Sequence, residues 1–258
     1  YILALAALAS AFSCARFEEE NIPQETQKVS KTFSALFADE AQTKTMVDGV
    51  AGDSWRNTMW LPADEIAVIA RFGTDVSLFH NTLQEVSNKA SFTGTTTLAD
   101  SYYALFPYQS GVTIADDKMN VTLQKTQNYA KESFGPKAMP MVANIYSGDE
   151  LYFKNLCGGF IVNITGTETI KNIQFTGYDE TGHRKKVSGD FMVDMTYEVE
   201  PVLTETGNGN TAVTLDCGTD GVQLSEDVST SFHIVLPPAT YNGFSLIITT
   251  TDGKRMQK

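Results

Sequence analysis

The chain predicts an all-β protein, and three observations carry that prediction. Apolar residues recur at every second position in short runs, turn residues separate the runs, and no long helical stripe lies between them. Alternation with period two places one face of a strand in a core and the other toward solvent. Strands at this spacing, without intervening amphipathic helices, favour sandwiches over a parallel α/β sheet. Of the 258 residues 42% are hydrophobic, enough to fill a core, and 19 glycines are scattered among them.

Taken in order, Phe33, Ala35 and Phe37 mark the first strand. Ile66, Val68, Ala70 and Phe72 line one face of a second, and Met119, Val121 and Leu123 one face of a third. Phe191, Val193 and Met195 repeat the pattern, as do Val213, Leu215 and Cys217. Phe232, Ile234 and Leu236 form a strand that stops at Pro237-Pro238, and Phe244, Leu246 and Ile248 form a late one. Turns are expected at Ser147-Gly148-Asp149, Asp179 to Gly182, Ser188-Gly189-Asp190, Gly207 to Asn210, Asp220-Gly221 and Asp252-Gly253, where Gly and Asx residues tolerate positive φ. Thr82 to Lys89 and Gln124 to Ser133 read as short helical turns or loops. Leu156 to Ile164 is apolar on both phases, as expected of a central strand covered on both faces. The polar break before it sets a domain boundary near residue 148, giving sandwiches over 31–148 and 149–258. Lys254 to Lys258 opens a further strand, and the second sandwich is expected to be completed beyond it.

Residues 1–13 are uncharged and rich in small residues, too short a run for the ~20 residues of a spanning helix. They match the apolar core of a secretory signal whose start precedes Tyr1. The run ends at Ala11-Phe12-Ser13-Cys14, the pattern of a bacterial lipobox, which makes Cys14 the expected lipid attachment. Charge begins at once with Arg16, Glu18, Glu19 and Glu20, and residues 14–30 form an acidic tether containing Pro23. The Glu18-Glu19-Glu20 triplet resembles the signal that exports lipoproteins to the cell surface. The several acyl chains of a mature lipoprotein anchor stably where one would not. The expected location is therefore the outer membrane, lipid-anchored and exposed at the surface.

Nineteen basic against 31 acidic residues give a net charge of −12, which repels nucleic acid. His80, His183 and His233 have no metal-ligand spacing, and the chain lacks a nucleophile elbow and a phosphate loop. No catalytic residue, metal or cofactor is expected, and the chain reads as a non-enzyme. Cys157 and Cys217 are candidates for a disulfide in an exported protein, or for two buried small hydrophobes. Tyr102, Tyr103, Phe106 and Tyr108 fit a strand with one face in the core, with a glycan-stacking platform as the alternative.

Several blocks, in order over residues 30–250, resemble the fimbrillins, or type V pilins. Phe33 to Phe37 followed by Thr43-Lys44-Thr45 resembles their opening strand. Trp60 followed by Asp64-Glu65-Ile66-Ala67-Val68 resembles their "tryptophan, then Asp-x-Ile-x-Val" strand, and Tyr102 to Tyr108 their aromatic strand. Phe153 to Gly158 resembles the strand that opens their second domain, and Ile170 to Ile173 and Ser188 to Asp190 continue the similarity. The resemblance implies two transthyretin-like β-sandwich domains made as one lipoprotein. It also implies proteolysis after an arginine, for which Arg56 is the candidate, and filling of the vacated groove by a strand of another subunit. The expected role is a fimbrial structural or accessory subunit, whether shaft, anchor or tip. Its partners would be the membrane, other fimbrial subunits and a host protein or glycan. The alternative is a glycan-binding surface lipoprotein.

Overall fold

The structure is a computed structural model that describes residues 27–38, 47–48 and 57–258. It is all-β: the described residues form strands, turns and loops and no helix. In chain order the strands are β1 (Lys28–Phe37), β2 (Val47–Asp48), β3 (Asn57–Thr58), β4 (Glu65–Ala70), β5 (Val76–Asn81), β6 (Ala90–Thr97) and β7 (Tyr102–Phe106). There follow β8 (Thr113–Ala115), β9 (Lys118–Leu123), β10 (Thr126–Asn128), β11 (Met141–Ile145), β12 (Glu150–Asn155), β13 (Gly158–Ile164) and β14 (Thr169–Tyr178). The last are β15 (Ser188–Asp194), β16 (Leu203–Asn210), β17 (Val213–Asp216), β18 (Val222–Gln223), β19 (Thr230–Leu236), β20 (Gly243–Thr250) and β21 (Arg255–Gln257).

Seven strands close a barrel in the order β1-β12-β11-β7-β4-β5-β6. Its interior holds Phe33, Ala35, Trp60, Ile66, Val68, Phe79, Phe92, Tyr102, Phe106 and Phe153. The opposite phase of the same strands, Ala67, Ile69, Tyr103, Leu105 and Val142, forms a second core with Met119, Val121, Phe191 and Val193 of the sheet β16-β15-β9-β8. Side chains of a strand alternate between faces, so β4 and β7 are buried on both. The third core lies between the sheet built on β10-β17-β14-β20-β21 and the two-stranded sheet β13-β19, and contains Ile173, Phe175, Leu215, Phe232 and Ile234.

The described pairing departs from the expected layout in definite ways. The N-terminal core is enclosed by a closed barrel rather than by two facing sheets. The polar break at 147–149 joins β11 to β12, neighbours in that barrel, while β9 and β10 pair with β15 and β17. Sheet membership therefore crosses residue 148. The apolar run 156–164 is no central strand. As β13 it pairs, among the described strands, with β19 alone, and Ile161 is 52% exposed. Gly207 to Asn210 lies inside β16 instead of turning, and Gln124 to Ser133 supplies β10. Phe72 falls beyond β4, in the turn to β5. Lys254 to Lys258 does open a strand, β21, paired with β20.

Candidate functional site: the first strand and its groove

Strand β1 is the seam of the barrel. It runs antiparallel to β6, with Lys28 to Ala35 opposite Thr97 to Ala90, and parallel to β12, with Ser34 to Phe37 beside Glu150 to Phe153. Ser34 N donates to Asp149 O at 2.8 Å and Ala38 N to Phe153 O at 2.9 Å, which tie its C-terminal half to β12. Alternation decides what the strand buries: Phe33 and Ala35 are inaccessible to solvent, while Lys28, Ser30 and Thr32 are exposed. The ring of Phe33 lies 5.6 Å from Phe79 and 5.3 Å, edge-on, from Tyr102. Phe37 stacks on Trp60 at 4.9 Å.

Trp60 is the hub beneath the strand. Its ring meets Phe92, Phe106 and Phe153 edge-on at 5.0, 5.3 and 5.2 Å. A loop holds it there. Leu61 N donates to the Asp64 carboxylate at 2.8 Å, and Asn81 Nδ2 donates to the carbonyls of Leu61 and Asp64. Trp60 and Ser87 exchange backbone hydrogen bonds. Asp64 is buried, and desolvation raises its pKa to about 6 against the pull of the Leu61 N–H and the Lys137 ammonium.

The rim of the groove is polar. Lys28 pairs with Asp75 at 2.7 Å and Lys31 with Asp149 at 2.9 Å, both open to water. Such pairs each contribute about 0–1 kcal/mol, so the apolar face of β1 and its ladder hydrogen bonds hold the strand, with the ion pairs fixing register. The Lys31 ammonium also sits 4.9 Å above the Tyr102 ring. Removing β1 would expose the edges of β6 and β12 together with Phe79, Phe92, Trp60 and Tyr102. That is an apolar slot between two unpaired backbones, matched to an extended segment with apolar residues at alternate positions.

Of the residues singled out from the sequence, Phe33 to Phe37 is thus a docked strand over a hydrophobic groove. Cys14, Glu18, Glu19, Glu20 and Arg56 lie outside the described residues. Directly after Arg56, Asn57–Thr58 pairs with Val47–Asp48. Cys157 and Cys217 are free buried thiols, one in the second core and the other in the third, so the candidate bridge is not formed. Burial pushes both thiols up, Cys217 to about 12. Tyr102, Tyr103 and Phe106 are buried and Tyr108 is half-buried against the second core, so the four form no exposed platform. His233 is buried, its ring edge-on to Phe134 at 5.3 Å. Among the described residues no three His, Cys, Asp or Glu side chains converge as metal ligands.

Sequence reasoning missed β5, β6 and the place of β12, which supply most of the groove. Leu151 and Phe153 alternate across β12 and could have been read as a strand, but nothing local signals that it pairs with β1. No family model, curated protein or solved structure matches the chain.

Proposed function

We propose that this protein is a surface-anchored fimbrial structural or accessory subunit that assembles by β-strand exchange, with β1 as the strand that is exchanged. The observation that carries the reading is the position of β1: an N-terminal strand that closes a barrel, buries Phe33 and Ala35, and sits between one parallel and one antiparallel neighbour. A cut after Arg56 would leave β1 held by non-covalent contacts only. A strand from a second subunit could then take over the same hydrogen bonds and apolar slot, at little net cost because each lost contact is replaced in kind. The resemblance to fimbrillins supports the same mechanism, and the lipobox ending at Cys14 supports anchoring to the outer membrane.

The test is arginine-specific proteolysis of the folded chain, with N-terminal sequencing of the product and sizing, and the Arg56→Ala variant as control. A new N-terminus at Asn57 and an orderly ladder of oligomers, both absent from the control, are the expected result for a shaft subunit. Resistance of Arg56 in the folded chain assigns the accessory anchor role instead. Cleavage that releases β1 and leaves a stable monomer would refute strand exchange.

A further inference from the structure

A second feature lies away from the β1 groove. Phe72 occupies the turn between β4 and β5 with φ of 64° and is 87% exposed. A phenylalanine in the left-handed region costs on the order of 1 kcal/mol or more, and a ring left in water recovers nothing by burial. The ring is nevertheless held in place. The Arg71 guanidinium lies 4.8 Å from the Phe72 centroid and 5.2 Å from that of Tyr146, itself 48% exposed. Arg71 in turn is fixed by Asp117, whose carboxylate accepts from Nη2 at 3.2 Å and from the Tyr103 hydroxyl at 2.7 Å. The arginine backs one face of the phenylalanine and leaves the other to solvent.

That free ring borders an open depression of about 600 Å³, lined by Phe72, Gly73, Thr74, Ile114, Ala115 and Asp116. Asp116 and Asp117 form the two-residue turn of the β8–β9 hairpin, both with positive φ, as a type I′ turn requires. The turn places Asp116 on the wall of the depression beside Thr74, a carboxylate residue next to a hydroxyl residue. Asp117 is already engaged by Arg71 and Tyr103. The site thus offers an aromatic face beside acceptors and a donor at the edge, within the usual size range of ligand pockets.

We propose that this depression binds neutral hexopyranose units of a glycan, stacked by their C–H face on Phe72 and hydrogen-bonded through their hydroxyls to Asp116 and Thr74. A pyranose has one apolar face and a hydroxylated rim, and contacts of C–H groups with an aromatic face are weak but directional. The net charge of −12 and the Asp116 carboxylate disfavour sialylated or sulfated sugars. The site is independent of strand exchange, so either proposal can fail without the other.

The experiment is an NMR titration of the full chain with maltotriose and with cellotriose as neutral probes and sialyllactose as the anionic one, repeated on Phe72→Gly. Saturable shifts from a neutral probe, clustered at residues 71–75 and 114–117, with sialyllactose weaker, are expected, at the millimolar affinity of a shallow site. Phe72→Gly should weaken that binding by about two- to tenfold, the loss of one stacking contact. It should also leave the melting temperature unchanged or raise it, because glycine relieves the positive φ. A ring kept for structural reasons would instead lower the melting temperature. Absence of shifts with both neutral probes, preference for sialyllactose, undiminished binding by Phe72→Gly, or self-association abolished by Phe72→Gly would each overturn the proposal.

Discussion

Shortening Phe33 to alanine tests whether β1 is held by its apolar face. The ring is fully buried, with Phe79 at 5.6 Å, Tyr102 at 5.3 Å and the Lys31 ammonium 5.2 Å above it. Burial of the lost ring atoms and the cavity left behind together cost about 3–5 kcal/mol for Phe→Ala in a packed core. The closed barrel resists collapse onto that cavity because its wall is continuous hydrogen-bonded backbone. Lys31 keeps its contact with Tyr102, so little cation–π energy is lost. The expected destabilisation is about 4 kcal/mol. Urea unfolding followed by Trp60 fluorescence, in a Trp55→Phe background, reads the barrel transition directly. The same energy should appear in binding. A chain cut after Arg56 and stripped of β1 should bind a synthetic peptide of residues 28–37 about a thousandfold more tightly than its Phe33→Ala version. A loss below about 1 kcal/mol at constant m-value, or equal affinity of the two peptides, would refute the apolar docking of β1.

Three further outcomes follow from the geometry. Asp64, with its pKa raised from 3.8 to about 6 by burial, holds a proton in the folded state that the unfolded chain has released. Stability should therefore fall as pH rises from about 4 to about 6, by on the order of 1–3 kcal/mol, and Asp64→Asn should flatten that slope in urea titrations across the range. Cys157 and Cys217 should be silent to Ellman's reagent in the native Cys14→Ser protein and should react once it is unfolded, since burial disfavours both thiolates. Gly94, in β6 between β1 and β5, has no room for a methyl group: a Cβ there would lie 2.6 Å from the Phe79 ring and 2.7 Å from the Leu78 carbonyl. Gly94→Ala should cost about 1–3 kcal/mol in thermal unfolding, whereas Gly111→Ala, which meets open space, should cost little.

The all-β class was legible because alternation reports burial directly. Phe33 and Ala35, Met119 and Val121, and Phe232 and Ile234 each point into a core as their spacing predicts. Two-sided burial was harder to assign. The apolar run 156–164 suggested a central strand, but β13 keeps Ile161 exposed, whereas β4 and β7 are the strands buried on both faces. An apolar residue states a preference and leaves the partner unnamed; which strand receives two layers depends on pairings set by distant chain. The same holds for the groove. Phe33 was visible as an inward residue, but the slot that receives it is made by β6 and β12, and long-range register leaves no local trace in either. Phe72 continued the alternation of Ile66, Val68 and Ala70, and only the backbone reversal after Ala70 takes it out of the core.

The pairing of β1 with β12 also has a consequence in time. Ser34 sits beside Glu150, 116 positions later in the chain. Synthesis delivers the first strand long before its parallel neighbour exists, and closing so large a loop is slow because its entropy must be spent before any contact is gained. Among the described strands, β4, β5, β6, β7 and β11 join one another through nearer pairings, and β12 reaches β11 across a short turn. β1 meets β6 at separations of 55–69 residues, so it can join the growing sheet as its edge strand, and its parallel pairing with β12 is the contact that closes the barrel. Until that closure the edges of β1 and β12 stay unpaired, and an unpaired edge is equally ready for a strand from another molecule. The order of assembly within one chain thus anticipates assembly between chains, and closure of the β1–β12 seam should be the slow phase of refolding.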